Sequence, residues 1–312
     1  MTVHKSVLLK EAIENLKLNN GDIVVDATLG GGGHSGEILK RIMPDGILAA
    51  IDADSEAIEK FKVQSEKLKI NGKVFLVNDN FANLDKILKE LGINKVNAIL
   101  ADFGISSDQL EEADRGLSFQ KDAQLDMRMN RDKGLSAGDI VNSYSEEELV
   151  RIFNEYGEEK YAKSIAKQII KQRKIKPIKR TLELVEIISN SVPERYKHQR
   201  IHFATRVFQA LRIETNKELD SIREFIPKAI EVLDKKGRLA VITFHSGEDK
   251  IAKEIFRENA RGCICPPNFP VCQCGRRPVV KIISKKPILP SVSEIKVNPR
   301  CRSAKLRVTE KM

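Results

Sequence analysis

"VVDATLGGGGHSGEIL", Val24–Leu39, places four consecutive glycines, Gly30–Gly33, just after an apolar run that ends in a carboxylate, Asp26. Glycine weakens strands and helices, so such a cluster marks a backbone that something approaches closely. "DIVVD" (Asp22–Asp26) reads as a buried strand and Ser35–Ile42 as a helix, which puts the glycines in a strand-to-helix turn. Outward from there, "ILAAID" (Ile47–Asp52), "VFLV" (Val74–Val77) and "NAILADF" (Asn97–Phe103) repeat the strand pattern. Helical segments at Glu56–Leu68 and Leu84–Leu91 separate them. Short apolar strands alternating with amphipathic helices predict a parallel sheet covered on both faces. The fold class is α/β, doubly wound.

The alternation then stops. From Gln109 to about Ile213 the pattern is loops and helices without a convincing strand. "KYAKSIAKQIIKQRK" (Lys160–Lys174) sets Ala162, Ile165, Ala166, Ile169 and Ile170 on one helical face, and Lys163, Lys167, Lys171 and Lys174 on another. "HFATRVFQALRI" (His202–Ile213) turns Phe203, Val207, Phe208 and Leu211 inward in the same way. A helix over Leu219–Leu233 and the strand "RLAVITF" (Arg238–Phe244) then resume the α/β pattern, and "VVKIIS" and "AKLRVT" fit an antiparallel pair closing the sheet. The expected organisation is one discontinuous domain, residues 1–109 and 214–312, with an all-helical insertion over 110–213.

At 312 residues, 41% hydrophobic and 31% charged, the composition is that of an ordinary globular protein. No apolar run approaches the ~18 residues of a membrane span, and the acidic start does not suit a signal peptide. A cytoplasmic location is expected. The net charge of +10 is unevenly spread: Lys160–Arg212 holds 14 basic and 3 acidic residues, and Gly275–Met312 holds 11 and 2. The rest of the chain is therefore at −10. An acidic body with two basic stretches is the footprint of a polyanion partner, most often nucleic acid.

Three readings compete for the glycines. A phosphate-binding P-loop requires Gly-Lys-Ser/Thr, and the loop here ends "GGHSG". Gly31, Gly33 and Gly36 do fit the dinucleotide fingerprint G-x-G-x-x-G, with Asp52 at the second strand's tip for a ribose. In that fingerprint, however, the glycines follow an apolar strand end at once, whereas here Asp26 and "ATL" intervene. An acidic strand tip before a glycine turn suits S-adenosylmethionine, whose ammonium favours a nearby carboxylate. Asp102 closes the fourth strand, in the crevice where such sheets bind ligands.

Here a family resemblance becomes specific. "HKSVLLKEA", "DATLGGGGHS", "AIDAD", "ADFGISSDQL", "DRGLSF", "LDMRM", "FATRVFQALRI" and "TFHSGEDK" occur in order from His4, and the match continues to about Lys305. Together they resemble the bacterial small-subunit ribosomal RNA methyltransferase H family, also called MraW. The resemblance implies a Rossmann-like class I methyltransferase sheet with an inserted helical domain. It also implies methyl transfer from S-adenosylmethionine to the exocyclic N4 amine of one cytidine in the decoding region of 16S rRNA. The partner is thus rRNA of the small ribosomal subunit, and no membrane. The implied cofactor contacts are Gly32, Gly33, His34, Asp52, Phe81, Asp102 and Gln109, with Phe81 expected to stack on the adenine.

Among amino-methyltransferases, a carboxylate or amide at the fourth strand's tip is often followed by Pro-Pro-aromatic. This chain has Asp102-Phe103-Gly104, so Asp102 is open to holding the cofactor, the amine or both. His245, at the tip of the next strand, is a candidate catalytic contact or proton acceptor; the alternative is a turn residue bonded to Glu248 or Asp249. Asp126 with Arg128 reads as a surface or loop-anchoring pair. Cys263, Cys265, Cys272 and Cys274 form C-x-C-x6-C-x-C, which fits structural zinc, free thiols or a redox role. Two other function classes share part of this pattern: a nicotinamide-dependent oxidoreductase, and a non-enzymatic rRNA-binding assembly factor.

Overall fold

One seven-stranded sheet organises the larger part of the chain, in the order β3-β2-β1-β4-β5-β7-β6. The computed structural model describes residues 6–67, 73–105, 109–110, 112–131, 134–266 and 271–312. His4, Leu68 and the Ser106–Asp108 part of "ADFGISSDQL" lie outside the described residues. The chain divides into two compact units: Met1–Gly104 with Leu219–Met312, and Ile105–Glu218. These boundaries sit a few residues from those expected, so Gln109 belongs to the inserted unit.

In the first unit β1 (Ile23–Asp26), β2 (Ile47–Asp52), β3 (Lys73–Asn78), β4 (Val96–Asp102) and β5 (Leu233–Thr243) run parallel. The register Asp26↔Leu100 and Asp102↔Ile242 brings the strand tips to one edge. β7 (Lys305–Lys311) pairs antiparallel with both β5 and β6 (Val280–Ile282), which is the closing pair expected from "VVKIIS" and "AKLRVT". The central strands are buried almost throughout: Val24, Val25, Leu48 to Ile51 and Ile99 to Ala101 are all closed to solvent. Such strands read as apolar runs because both faces are covered.

The covering helices of this unit are α1 (Leu9–Leu16), α2 (Gly33–Ile42), α3 (Ser55–Lys67) and α4 (Leu84–Glu90). α2 starts two residues earlier than expected, because left-handed Gly32 (φ 74°) caps it and the last glycine is already helical.

The inserted unit contains α5 (Ala137–Ser143), α6 (Glu146–Glu155), α7 (Ala162–Arg173), α8 (Thr181–Ser189), α9 (Glu194–Lys197) and α10 (Thr205–Asn216). Its core is built by the stripes expected from the sequence, including Ile165, Ala166 and Ile169 of α7 and Val207, Phe208 and Leu211 of α10. Capping boxes at Ser136/Asp139 and Ser145/Glu148 set where α5 and α6 begin. The chain returns to the sheet through α11 (Glu218–Val232), and α12 (Ser246–Ala260) follows β5. Asp249 on α12 receives a two-point pair from Arg307 of β7, at 2.6 and 3.0 Å, which fixes that helix to the sheet. α13 (Val292–Val297) precedes β7. No helix among the described residues is long and apolar enough to cross a membrane.

Candidate active site

The strand order reverses between β1 and β4, and crevices for ligands open at the carboxyl ends of strands at such a switch. β1, β2 and β4 end there in Asp26, Asp52 and Asp102, and the three carboxylates are held differently. Asp26 is fully buried; Ser35 Oγ donates to its Oδ2 at 2.7 Å and the Thr28 N–H to its Oδ1 at 3.2 Å. Burial pushes its carboxyl up to about 7, against the pull of those two donors. Asp52 instead accepts the N–H of Gly30 at 2.7 Å and that of Asp54 at 2.8 Å, tying the glycine turn to β2.

Asp102 is anchored through its own N–H, which donates to Thr28 Oγ1 at 2.6 Å. Its side chain keeps 20% of its exposure, yet Oδ1 is buried with no hydrogen-bond partner among the described residues. Burial holds this carboxyl well above the usual range, reinforced by the neighbouring charges of Asp26 and Glu248. A buried acceptor without a donor is costly, and in a native structure it marks a bound water, an ion, a ligand or a catalytic role.

The glycines answer to the protein's own side chains. A Cβ on Gly32 would lie 2.2 Å from Phe61 Cδ2, and one on Gly33 would lie 2.1 Å from Ser6 Oγ. A Cβ on Gly36 would meet nothing within 4 Å among the described residues. In the dinucleotide fingerprint the third glycine permits close helix–strand packing; here that reason is absent. His34, between the glycines and Ser35, is buried, with Nε2 3.1 Å from the Val7 carbonyl. A carbonyl only accepts, so Nε2 carries the hydrogen and Nδ1 faces Asp102 Oδ2 at 3.8 Å.

Phe81 opens a short 3-10 turn after β3 and is half-buried. Its ring packs 5.3 Å from Phe103 and 5.2 Å from Phe225, forming an aromatic wall beside the Asp102 tip. At the tip of β5, His245 caps α12: its Nδ1 accepts the Gly247 N–H at 3.2 Å, and Nε2 stands 3.1 Å from Glu248 Oε1 but off the hydrogen-bonding line. Glu248 is fully buried and accepts the Phe244 N–H at 2.7 Å. Sequence reasoning finds Glu248 only as a partner of His245 and misses Ser35 and Thr28. "HSGE" has the spacing of a capping box, which is the available signal for Glu248; Ser35 and Thr28 carry none. Gln109 is buried in the inserted unit.

In that unit Lys163, Lys167, Lys171 and Lys174 are exposed along α7. Three of them, Lys167, Lys171 and Lys174, line a groove of about 480 Å³ together with Ser164, Asn190 and Ser191. Asp126 receives Arg128 at 2.7 and 3.0 Å, and Asn216 holds the Met127 carbonyl at 2.9 Å and the Met129 N–H at 2.8 Å, so "LDMRM" is an anchored loop. The four clustered cysteines are unbridged, with Sγ atoms within 4.8 Å of one another.

The MraW methylase family matches the chain over residues 1–312. A Clostridium botulinum (strain Loch Maree / Type A3) protein named ribosomal RNA small subunit methyltransferase H is 52% identical over 99% of both chains. Proteins of the same name from Finegoldia magna and Brevibacillus brevis are 49% and 48% identical, each covering 99% of this chain and 98% of the relative.

Proposed function

We propose, because the chain belongs to the MraW methylase family, that it methylates small-subunit rRNA with S-adenosylmethionine as donor, at the N4 amine of one cytidine in the decoding region of 16S rRNA. The observation that carries this reading is the Asp102 tip, whose Oδ1 is buried and has no donor among the described residues, beside the glycine turn. The residues present fit the cofactor. Asp52 would take the ribose hydroxyls, Phe81 the adenine face, and Gly32, Gly33 and His34 the amino-acid end. Gln109 enters on the family resemblance alone.

Bound S-adenosylmethionine supplies an electrophilic methyl on a sulfonium. The cytosine amine is a poor nucleophile because its lone pair is delocalised into the ring. Asp102 draws on one N–H of that amine and localises the pair, then takes the proton as the N–C bond forms. Its raised affinity for protons makes it a stronger base than an ordinary carboxylate once it is ionised. His245 positions the neighbouring turn through Nδ1, which accepts the Gly247 N–H, and its Nε2 faces Glu248. Held geometry contributes much of the rate, since orientation is worth roughly 7–11 kcal/mol. The exposed lysines of α7 suit a phosphate backbone, and the target base must leave its stack to be reached.

The test uses small subunits from a strain lacking the enzyme, incubated with the protein and labelled S-adenosylmethionine, followed by mapping of the labelled nucleotide. Label at one cytidine N4 is expected; label elsewhere, or none, overturns the assignment. Calorimetry separates the oxidoreductase reading, since S-adenosylmethionine should bind and NAD should not.

A further inference from the structure

The segment between α12 and β6 does not take part in the site described above. α12 leaves the carboxyl tip of β5 and runs back along the sheet, so Ala260 ends near the opposite edge. Val280, the first residue of β6, pairs with Lys311 at the end of β7, while Glu310 pairs with Arg238, where the regular pairing of β5 with β4 resumes. The cysteine segment therefore lies at the amino edge of the parallel strands. Its base is tied to α12: the Val279 N–H donates to the Asn259 carbonyl at 2.8 Å, and Arg276 Nη2 donates to the Glu258 carbonyl at 2.6 Å.

We propose that Cys263, Cys265, Cys272 and Cys274 bind one zinc ion as a structural tetrathiolate site that cross-links this segment. A tetrahedron with Zn–S bonds of about 2.3 Å has sulfur–sulfur edges of about 3.8 Å. The observed Cys272–Cys274 and Cys274–Cys263 Sγ separations are 3.6 and 3.8 Å, and all four sulfurs lie within 4.8 Å of one another. A disulfide needs about 2.05 Å, and none of the four is bridged.

The backbone also points at the sulfurs. Cys263 Sγ accepts the Cys265 N–H at 3.4 Å, and Cys274 Sγ accepts the Ile264 N–H at 3.4 Å. Cys265 Sγ accepts from both Gln273 and Cys274 at 3.3 Å. N–H donors aimed at sulfur stabilise thiolates, the form that binds metal. Binding sends the four thiol protons to solvent and leaves a local charge of −2, which Arg261, Arg276 and Arg277 flank. With four protein ligands the ion keeps no open position, so it serves structure and not chemistry. The zinc site stands independently of the methyltransferase reading.

The experiment is elemental analysis of the reduced full-length protein, reconstituted anaerobically with zinc and dialysed. About one zinc per chain is expected. Cys272→Ser combined with Cys274→Ser should reduce it to background, while Cys272→His should retain it as a Cys3His site. Should the double variant fail to fold, the wild-type chain loaded with cobalt decides, by the ligand-field bands of tetrahedral thiolate coordination. No retained zinc, zinc unaffected by the double substitution, or octahedral cobalt overturns the proposal. So do native disulfides among the four cysteines, found by mass spectrometry of protein purified anaerobically without reductant.

Discussion

The two edges of the parallel sheet keep their acidic groups in opposite ways. At the carboxyl edge Asp26 and Glu248 are fully buried and Asp102 partly so, and burial raises the proton affinity of Asp26 and Asp102. At the amino edge three of the four clustered cysteines are exposed. A buried carboxyl without a partner opposes folding, so the first edge draws on the stability of the large core beneath it to keep a charge in reserve. At the second edge the zinc cross-link proposed above would do what burial does at the first. The first edge thus sets buried carboxyls against a large core, and the second gathers exposed thiols at the end of the sheet.

The sharpest way to break this comparison is Asp102→Asn. It keeps the shape and one acceptor oxygen but removes the base, so single-turnover methylation at saturating S-adenosylmethionine should fall about 10²–10⁴-fold, with cofactor affinity changing far less. A near wild-type rate under those conditions would remove Asp102 from the chemical step.

Next in size is Asp26→Asn. Native Asp26 keeps its proton to about pH 7, whereas the unfolded chain releases it near the ordinary 3.8, so wild-type stability is lost as pH rises between those values. Asparagine stays neutral, with the Ser35 hydroxyl turned to accept. Its stabilising effect should therefore grow from about pH 4 to about pH 7 and then level, reaching a few kcal/mol in denaturant melts. A pH-independent difference would show that Asp26 is ionised in the folded protein.

Gly32→Ala sharpens the glycine assignment. The new Cβ meets the Phe61 ring at a left-handed position, and overpacking of this kind costs about 1–3 kcal/mol by chemical denaturation. A neutral result would return the glycine row to ligand approach alone. The smallest expected effect is at α7. Lys167→Glu with Lys171→Glu should leave cofactor affinity unchanged, weaken rRNA binding and lower its salt slope by about 1 for each phosphate no longer neutralised. Equal binding across salt concentrations would make this helix an ordinary solvated face.

Much of the molecule was legible because its signals are local. Apolar runs bounded by turn residues gave β2 its observed limits and placed β1, β3 and β4 within a residue or two. The α7 stripe pointed to its buried face for the same reason, since 3.6-residue periodicity needs no knowledge of the partner. β5 was less clear: its pairing jumps from Val96↔Leu233 to Ala98↔Arg238, around Lys236 at φ 67°, and the apolar pattern begins only after that irregularity. The family match covers the same residues that carry the strand tips and the glycine turn, so membership was readable as well.

What the sequence by itself determined was the alternation, the insertion and which strands end in carboxylates, because each follows from residues near one another in the chain. Only the tertiary structure decided what each carboxylate does. Asp26, Asp52 and Asp102 are alike in sequence, but Ser35 and Thr28 close off the first, Gly30 and Asp54 each donate one N–H to the second, and the third retains a buried Oδ1 with no donor among the described residues. The same holds for the glycines, whose neighbours Phe61 and Ser6 arrive from other segments. Desolvation and steric contact depend on which atoms surround a group in space, and that arrangement exists only once the sheet has brought distant strand tips to one edge.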